Sequence, residues 1–350
     1  MSIIIPKSNK ELYDSPKSFK LIILLNTIGK LIKKVIGDRL QFHLISNNFI
    51  YSSQLGSLKQ RSMSNVSVTL THFIYSGWVK YKMTSTLAFD IAQLFSSLNH
   101  CLLSLILRKA GFNPKIECFF SNYLVGKKTW YLWNNFFSLL FNVDIGVEQG
   151  SALSPILSAL YLASVLYILE KHLKTLEITV SILSFVNNGL LIVQSRLLAI
   201  SNDFLFCSSR VISSLLKKFR LILKHGKTEV FYFSRSNGVF DPPPLDLSML
   251  GGLLLCSRSS WRYLGFIFDR KLFFQAHINY YMNKAISTVK CIKILGNSAH
   301  SFIPHQKWLL YRSCVLPIVF YGLQLWYYNK MPLLYPLKEL KKMQRKVAIC

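Results

Sequence analysis

SFVNNG, residues 184–189, stands between two short apolar runs, SIL at 181–183 and LLIV at 190–193. Two apolar runs around an asparagine- and glycine-rich break spell an antiparallel β-hairpin, with the turn expected over Asn187-Asn188-Gly189. Upstream, STLAFDIAQLF (85–95) opens as a strand that sends Leu87, Phe89 and Ile91 to one face and Ala88 and Asp90 to the other. A helix is expected to follow, with Leu98, Leu102, Leu105 and Ile106 at helical spacing. Between strand and hairpin, GVEQGSALSP (146–155) reads as a glycine-bearing loop. It hands over to a helix at Ser154-Pro155, a capping residue followed by a first-turn proline. Downstream, residues 208–224 read as a basic amphipathic helix and TEVFYFSR (228–235) as a strand.

Farther out, residues 21–47 carry an amphipathic helical pattern with Leu25, Ile28, Leu31 and Ile32 on one side. Residues 48–64 read as loop and turn. DPPPLDL (241–247) is a stiff linker and the best boundary in the chain. A β-rich patch, WRYLGFIFD (261–269), follows it. Next comes a helix with Ala285, Val289, Ile292 and Leu295 on one face, and then a basic helix, KELKKMQRK (338–346). The chain stops soon after, as if cut short.

Composition narrows the classes. Hydrophobic residues make up 51% and aromatic residues 14% of the 350, which excludes a disordered chain. Lys and Arg number 42 against 15 Asp and Glu, a formal charge of +27. Such an excess predicts a polyanionic partner, nucleic acid ahead of a membrane surface. The seven cysteines form no CxxC pair; in apolar surroundings they read as buried free thiols of a reducing compartment. The eight histidines show no HxxxH or HExxH spacing, so no zinc site is expected. The start does not read as a secretory signal. Ile156–Leu169 and Cys314–Tyr328 fall short of the ~20 apolar residues of a spanning helix and are expected in the core.

In this order the motifs resemble the reverse transcriptases of non-LTR (LINE-type) retrotransposons, most closely the fungal ones. LAFDIAQLFSSLNH (87–100) resembles the first palm motif and GVEQGSALSPILSALYL (146–162) the second. SFVNNG resembles the third, normally FVDDG. LKKFRLILKHGKTEVFYFS (216–234) and WRYLGF (261–266) resemble the fourth and fifth. SFKLIILLNTIGKLIKKVIGDRL (18–40) and QLGSLKQRS (54–62) resemble the finger motifs, and PIVFYGLQLW (317–326) the thumb.

The resemblance implies an α+β right-hand polymerase, C-terminally truncated. Fingers would span 1–84. A palm with an antiparallel sheet would span 85–240, with a fingers/palm insertion near 110–145. The palm end and a partial helical thumb would span 241–350. It implies RNA-directed DNA synthesis in which a primer 3′-oxygen attacks a nucleotide α-phosphorus between two Mg2+ ions. An RNA template and a DNA primer would be the partners, with no membrane and an intracellular, nuclear location. Catalytic positions would be Asp90, Asn187 and Asn188, with Asp90 the metal ligand. Phe95 would gate against a ribose 2′-hydroxyl, and Gln149 and Gly150 would line the nucleotide and template pocket. Lys20 and Lys59 would meet the triphosphate, where the family usually has Arg. Lys227 is either a proton donor to pyrophosphate or a solvated lysine before a strand.

The pattern breaks at its most charged point. Mg2+ prefers anionic oxygens in octahedral geometry. Asn187 and Asn188 offer amides where two aspartates are normal, leaving Asp90 alone. The expectation is an impaired or dead enzyme, with a non-catalytic nucleic-acid-binding remnant or pseudogene product as the alternative. Glu148 replaces the usual Pro or Gly, and nothing in the sequence aims it at a metal. Leu21 and Ser96 stand where relatives tend to have Pro. Asp→Asn at 187 and 188, Arg→Lys at 20, Pro→Leu at 21, Pro→Ser at 96 and Gly→Glu at 148 can each arise from one C-to-T or G-to-A transition, the expected mark of a decaying copy.

Overall fold

The computed structural model describes residues 1–7, 12–173, 178–236, 242–247, 254–296 and 302–327, with single positions at 338, 341 and 344. The basic helix expected over 338–346 lies outside the described residues apart from those three. The chain forms two compact units. The first comprises Met1–Met63, Thr86–Val230 and Pro244–Leu255; the second comprises Ser64–Ser85, Phe231–Pro243 and Cys256–Cys350.

The first unit is built on a sheet in the order Ile222–Leu223, Met83–Ala92 (from Thr86 on), Asn188–Ser195, Thr179–Phe185, antiparallel at Ile222–Leu223 and within the hairpin. The hairpin at its centre is the one expected from SFVNNG. Leu190, Leu191, Ile192 and Val193 are fully buried, so this strand is apolar on both faces rather than alternating. The helices Ser154–Leu173 and Leu198–Lys218 pack on the hairpin strands and on each other.

Ser154–Leu173 begins where the serine-proline signal placed it. It is longer than the apolar run suggested. By length and composition alone it could cross a bilayer, yet two thirds of it, 67%, is buried inside the protein. Leu198–Lys218 corrects the helix expected over 208–224. Arg220 takes φ +55°, and Ile222 and Leu223 then pair with Ala92 and Ile91 as a strand.

The helix expected over 21–47 is Thr27–Ser46, preceded by the strand Phe19–Ile23. Asn26 caps it through the Gly29 amide at 2.5 Å. Its expected apolar side is not its buried side. It buries Gly37, Leu40 and Leu44, while Ile28, Leu31 and Ile32 are 73%, 63% and 50% exposed. The helix after the Asp90 strand departs likewise: Leu103 and Leu107 are buried, whereas Leu105 is exposed. A second sheet of the first unit runs in the order Phe19–Ile23, Ser2–Pro6, Tyr131–Trp133, Phe136–Phe137.

The second unit has an aromatic core. The hairpin Ser260–Tyr263/Phe266–Asp269 sets Trp261 against Phe231 at 5.7 Å and Tyr263 at 4.8 Å between ring centroids. The helix Gln275–Gly296 buries Ala285 and Val289 as its pattern predicts. Over its described part, 314–327, the apolar run is no single helix. It breaks at Gly322, φ +75°, where a Cβ would press on His277 and Phe266.

The cysteine expectation needs correction. Cys101, Cys118, Cys207, Cys256, Cys291 and Cys314 are free but exposed. An apolar neighbourhood in sequence does not place a residue on the inward side of its helix.

Candidate active site

Asp90 sits near the end of the strand Met83–Ala92, with 5% of its surface exposed. Main-chain bonds fix it from both sides. The Lys224 amide donates to the Asp90 carbonyl, and the Ile91 amide donates to the Asn187 carbonyl, both at 2.8 Å. The third-motif hairpin is thereby registered against the Asp90 strand.

The hairpin turn lies earlier than the sequence suggested. Pairing continues to Phe185 opposite Asn188, so Val186 and Asn187 are the turn, and Asn188 and Gly189 already belong to the strand. Val186 holds φ +56°, a costly conformation for a β-branched residue. Gly189 is needed for space rather than for turning. A Cβ there would lie 2.1 Å from the Phe89 ring on the neighbouring strand.

The strained turn is held from outside by the segment Ser53–Gly56. The Leu55 amide donates to the Ser184 carbonyl at 2.7 Å, and the Ser184 amide to the Ser53 carbonyl at 3.1 Å. The Gln54 side chain donates to the Ala159 carbonyl at 2.9 Å. Gly56 lets the two backbones meet, since a Cβ would stand 2.2 Å from the Val186 nitrogen. The glycine was the signal, but only the tertiary partner explains it.

The side chains that converge here are Asp90, Asn187, Asn188 and Lys227. The Asn187 amide donates to Asp90 Oδ1. Lys227 Nζ lies 3.1 Å from Asp90 Oδ2. Asn188 Nδ2 reaches toward Asn187 Oδ1 at 3.5 Å. Both carboxylate oxygens therefore face donors. Among the described residues, no three His, Cys, Asp or Glu side chains gather to hold a metal ion. One carboxylate, two amides and an ammonium do not fit a pair of Mg2+ ions, which need several anionic oxygens.

The other candidates surround the glycine loop. The Val147 amide donates to the Phe95 carbonyl at 2.6 Å, joining the short helix Leu94–Ser97 to the loop. Gly146, φ +84°, passes so close to Ser96 that a Cβ would lie 2.7 Å from its backbone. The Ile23 amide donates to the Gln149 carbonyl at 3.0 Å. Gly150 takes φ +110°, and a Cβ there would be 3.8 Å from Ile22 Cγ2. Lys20 alternates onto the same strand face as Ile22 and is exposed. Lys59 is engaged elsewhere: its Nζ lies 2.7 Å from Asp38 Oδ1, in an exposed pair. The structure thus brings Asp90, Asn187, Asn188 and Lys227 together, ties Phe95 to the loop that carries Gln149 and Gly150, leaves Lys20 exposed on the strand whose Ile23 bonds that loop, and pairs Lys59 with Asp38.

Comparison with known proteins gives a consistent family. The family described as Reverse transcriptase (RNA-dependent DNA polymerase) matches residues 5–268. The chain is 23% identical over 317 residues to the probable RNA-directed DNA polymerase from transposon BS of Drosophila melanogaster, covering 89% of this chain and 34% of that protein. It is 23% identical over 326 residues to the RNA-directed DNA polymerase from mobile element jockey of Drosophila funebris, covering 93% and 34%. The chain spans about a third of the length of these curated relatives. Among solved structures, telomerase from Candida albicans in complex with a TWJ fragment of telomeric RNA aligns at 14% identity and TM-score 0.48, covering 95% of this chain and 56% of that one. The α+β right-hand polymerase class expected from the motifs is the fold class of this chain.

Proposed function

Because the chain belongs to the reverse transcriptase (RNA-dependent DNA polymerase) family, we propose that it is the RNA-directed DNA polymerase domain of a non-LTR retrotransposon with polymerisation impaired or lost. The contact that carries this reading is Asn187 to Asp90. Where the family resemblance calls for a second carboxylate, an amide donates to the first. Lys227, 3.1 Å away, supplies the positive charge on the other oxygen. Asp90 is neutralised from within the chain, and the charge that should meet a transferring phosphoryl group is missing.

The reading retains nucleic acid as the partner. The charge of +27 and the exposed Lys20 favour an RNA template with a DNA primer. Fingers, palm, and palm end with thumb over 1–84, 85–240 and 241–350, likeness to fungal elements and a nuclear location are parts of the same proposal and rest on the motifs. A second reading, a binding remnant of a decaying copy, is favoured by the paired asparagines. Anisotropy of a labelled primer–template, titrated with salt and then supplied with nucleotides, tests both. Salt-sensitive binding without extension supports the proposal. Absence of binding at low salt contradicts it.

A further inference from the structure

In the glycine loop, Glu148 stands where the resemblance places Pro or Gly, and its carboxylate is the centre of a buried charge cluster. Lys33 Nζ lies 2.5 Å from Oε2, and the Tyr123 hydroxyl donates to the same oxygen at 3.2 Å. Lys127 Nζ lies 3.6 Å from Oε1 and 3.6 Å above the Tyr123 ring. The side chains of Lys33, Lys127 and Glu148 are only 15%, 15% and 16% exposed. Burial alone would raise the Glu148 carboxyl, but Lys33, Lys127 and Tyr123 outweigh it and hold it below the usual range. Burial pulls Lys127 down in spite of Glu148.

The partners come from three places: the helix Thr27–Ser46, the helix Pro114–Leu124, and the segment just before the strand Lys128–Thr129. Main-chain bonds tie the loop at three points, Gly146 to Leu98, Val147 to Phe95 and Gln149 to Ile23. Gly150 has no side chain to anchor. Glu148, between Val147 and Gln149, supplies the loop's charged side-chain anchor. A buried ion pair adds little net stability compared with an apolar pair, but breaking one is costly and its geometry is specific. That favours a role in placement over one in bulk stability.

We infer that Glu148 is a positioning residue: its part-buried carboxylate latches the 146–150 loop to Lys33, Lys127 and Tyr123 and, together with the Gln149–Ile23 main-chain bond, sets where Gln149 and Gly150 stand. The assignment of Gln149 and Gly150 to the nucleotide rests on the polymerase reading; the latch does not.

Hydrogen–deuterium exchange on the full chain tests the latch. In Glu148→Gln, amides 148–151 exchange about tenfold faster, the scale of one hydrogen bond to a charged group, while amides 190–193 stay unchanged. In Tyr123→Phe the same segment speeds up by less. Unchanged exchange at 148–151 in both overturns the latch, as does a rise spread evenly over the unit. If Glu148→Gln does not fold, Tyr123→Phe decides alone. In the Asn187→Asp/Asn188→Asp background, adding Glu148→Gln raises KM for nucleotide more than it lowers kcat. A looser loop with unchanged KM overturns the positioning role. If that background does not polymerise, the polymerase reading has failed and the exchange result still decides the latch.

Discussion

From the hairpin turn, Asn187 donates its side-chain amide to the Asp90 carboxylate on the neighbouring strand. The backbone of the turn holds the two positions in contact, and the side chain at 187 is an amide rather than a carboxylate. Asn187→Asp would set two carboxylates against each other, with Lys227 as the nearby cation. The variant should melt several degrees lower than the native chain in chelator and recover when Mn2+ is added. The native chain should show no such Mn2+ response. Equal melting curves for both proteins, with and without Mn2+, would count against this account of Asp90.

Lys227 is 59% exposed while Asp90 is nearly buried. Water screens such a pair, so Lys227→Met should cost ~1 kcal/mol or less in urea unfolding. A loss several times larger would mean that Lys227 is a structural counter-ion rather than a surface arm reaching over Asp90.

Gly189 and Phe89 should behave as a coupled pair. Gly189→Ala puts a methyl into the Phe89 ring and should destabilise by about 1–3 kcal/mol. Phe89→Leu should relieve part of that cost, giving a non-additive double-mutant cycle. Additive losses would show that the clash is absorbed elsewhere.

His277 makes the second unit sensitive to acid. It is buried, its Nδ1 accepts from the Ile267 amide at 3.2 Å, and its Nε2 donates to the Tyr321 carbonyl at 2.9 Å. Burial lowers its pKa, only partly opposed by the Tyr321 bond. The folded value lies below the unfolded one, so the neutral ring's contribution is complete above the unfolded pKa of roughly 6.5 and is lost progressively as pH falls from there through the lower folded value. The urea midpoint should therefore fall between pH 7.5 and 5.5, values chosen to bracket roughly 6.5. His277→Gln should flatten that part of the profile. A native profile flat across this window would contradict the assignment.

The sequence carried the order of strands, loop and hairpin because each has a local signal: alternation, Ser-Pro, or an asparagine–glycine break. It did not carry what touches what. Asn188-Gly189 looked like the turn, but the glycine answers to Phe89 on another strand. Ile28, Leu31 and Ile32 mark an apolar side of their helix, yet periodicity cannot say which side the rest of the chain will cover. Lys59 was matched by motif, whereas Asp38 claims it through proximity in space. Glu148 meets Lys33 across 115 positions, a pairing that no local pattern encodes.

Primer extension on an RNA template with Mg2+, run on the native chain beside Asn187→Asp/Asn188→Asp, tests the central claim most directly. The account predicts extension by the double variant and none, or very little, by the native chain. Extension by the native chain at the variant's rate would contradict it, because Asp90 would then suffice without the missing carboxylates.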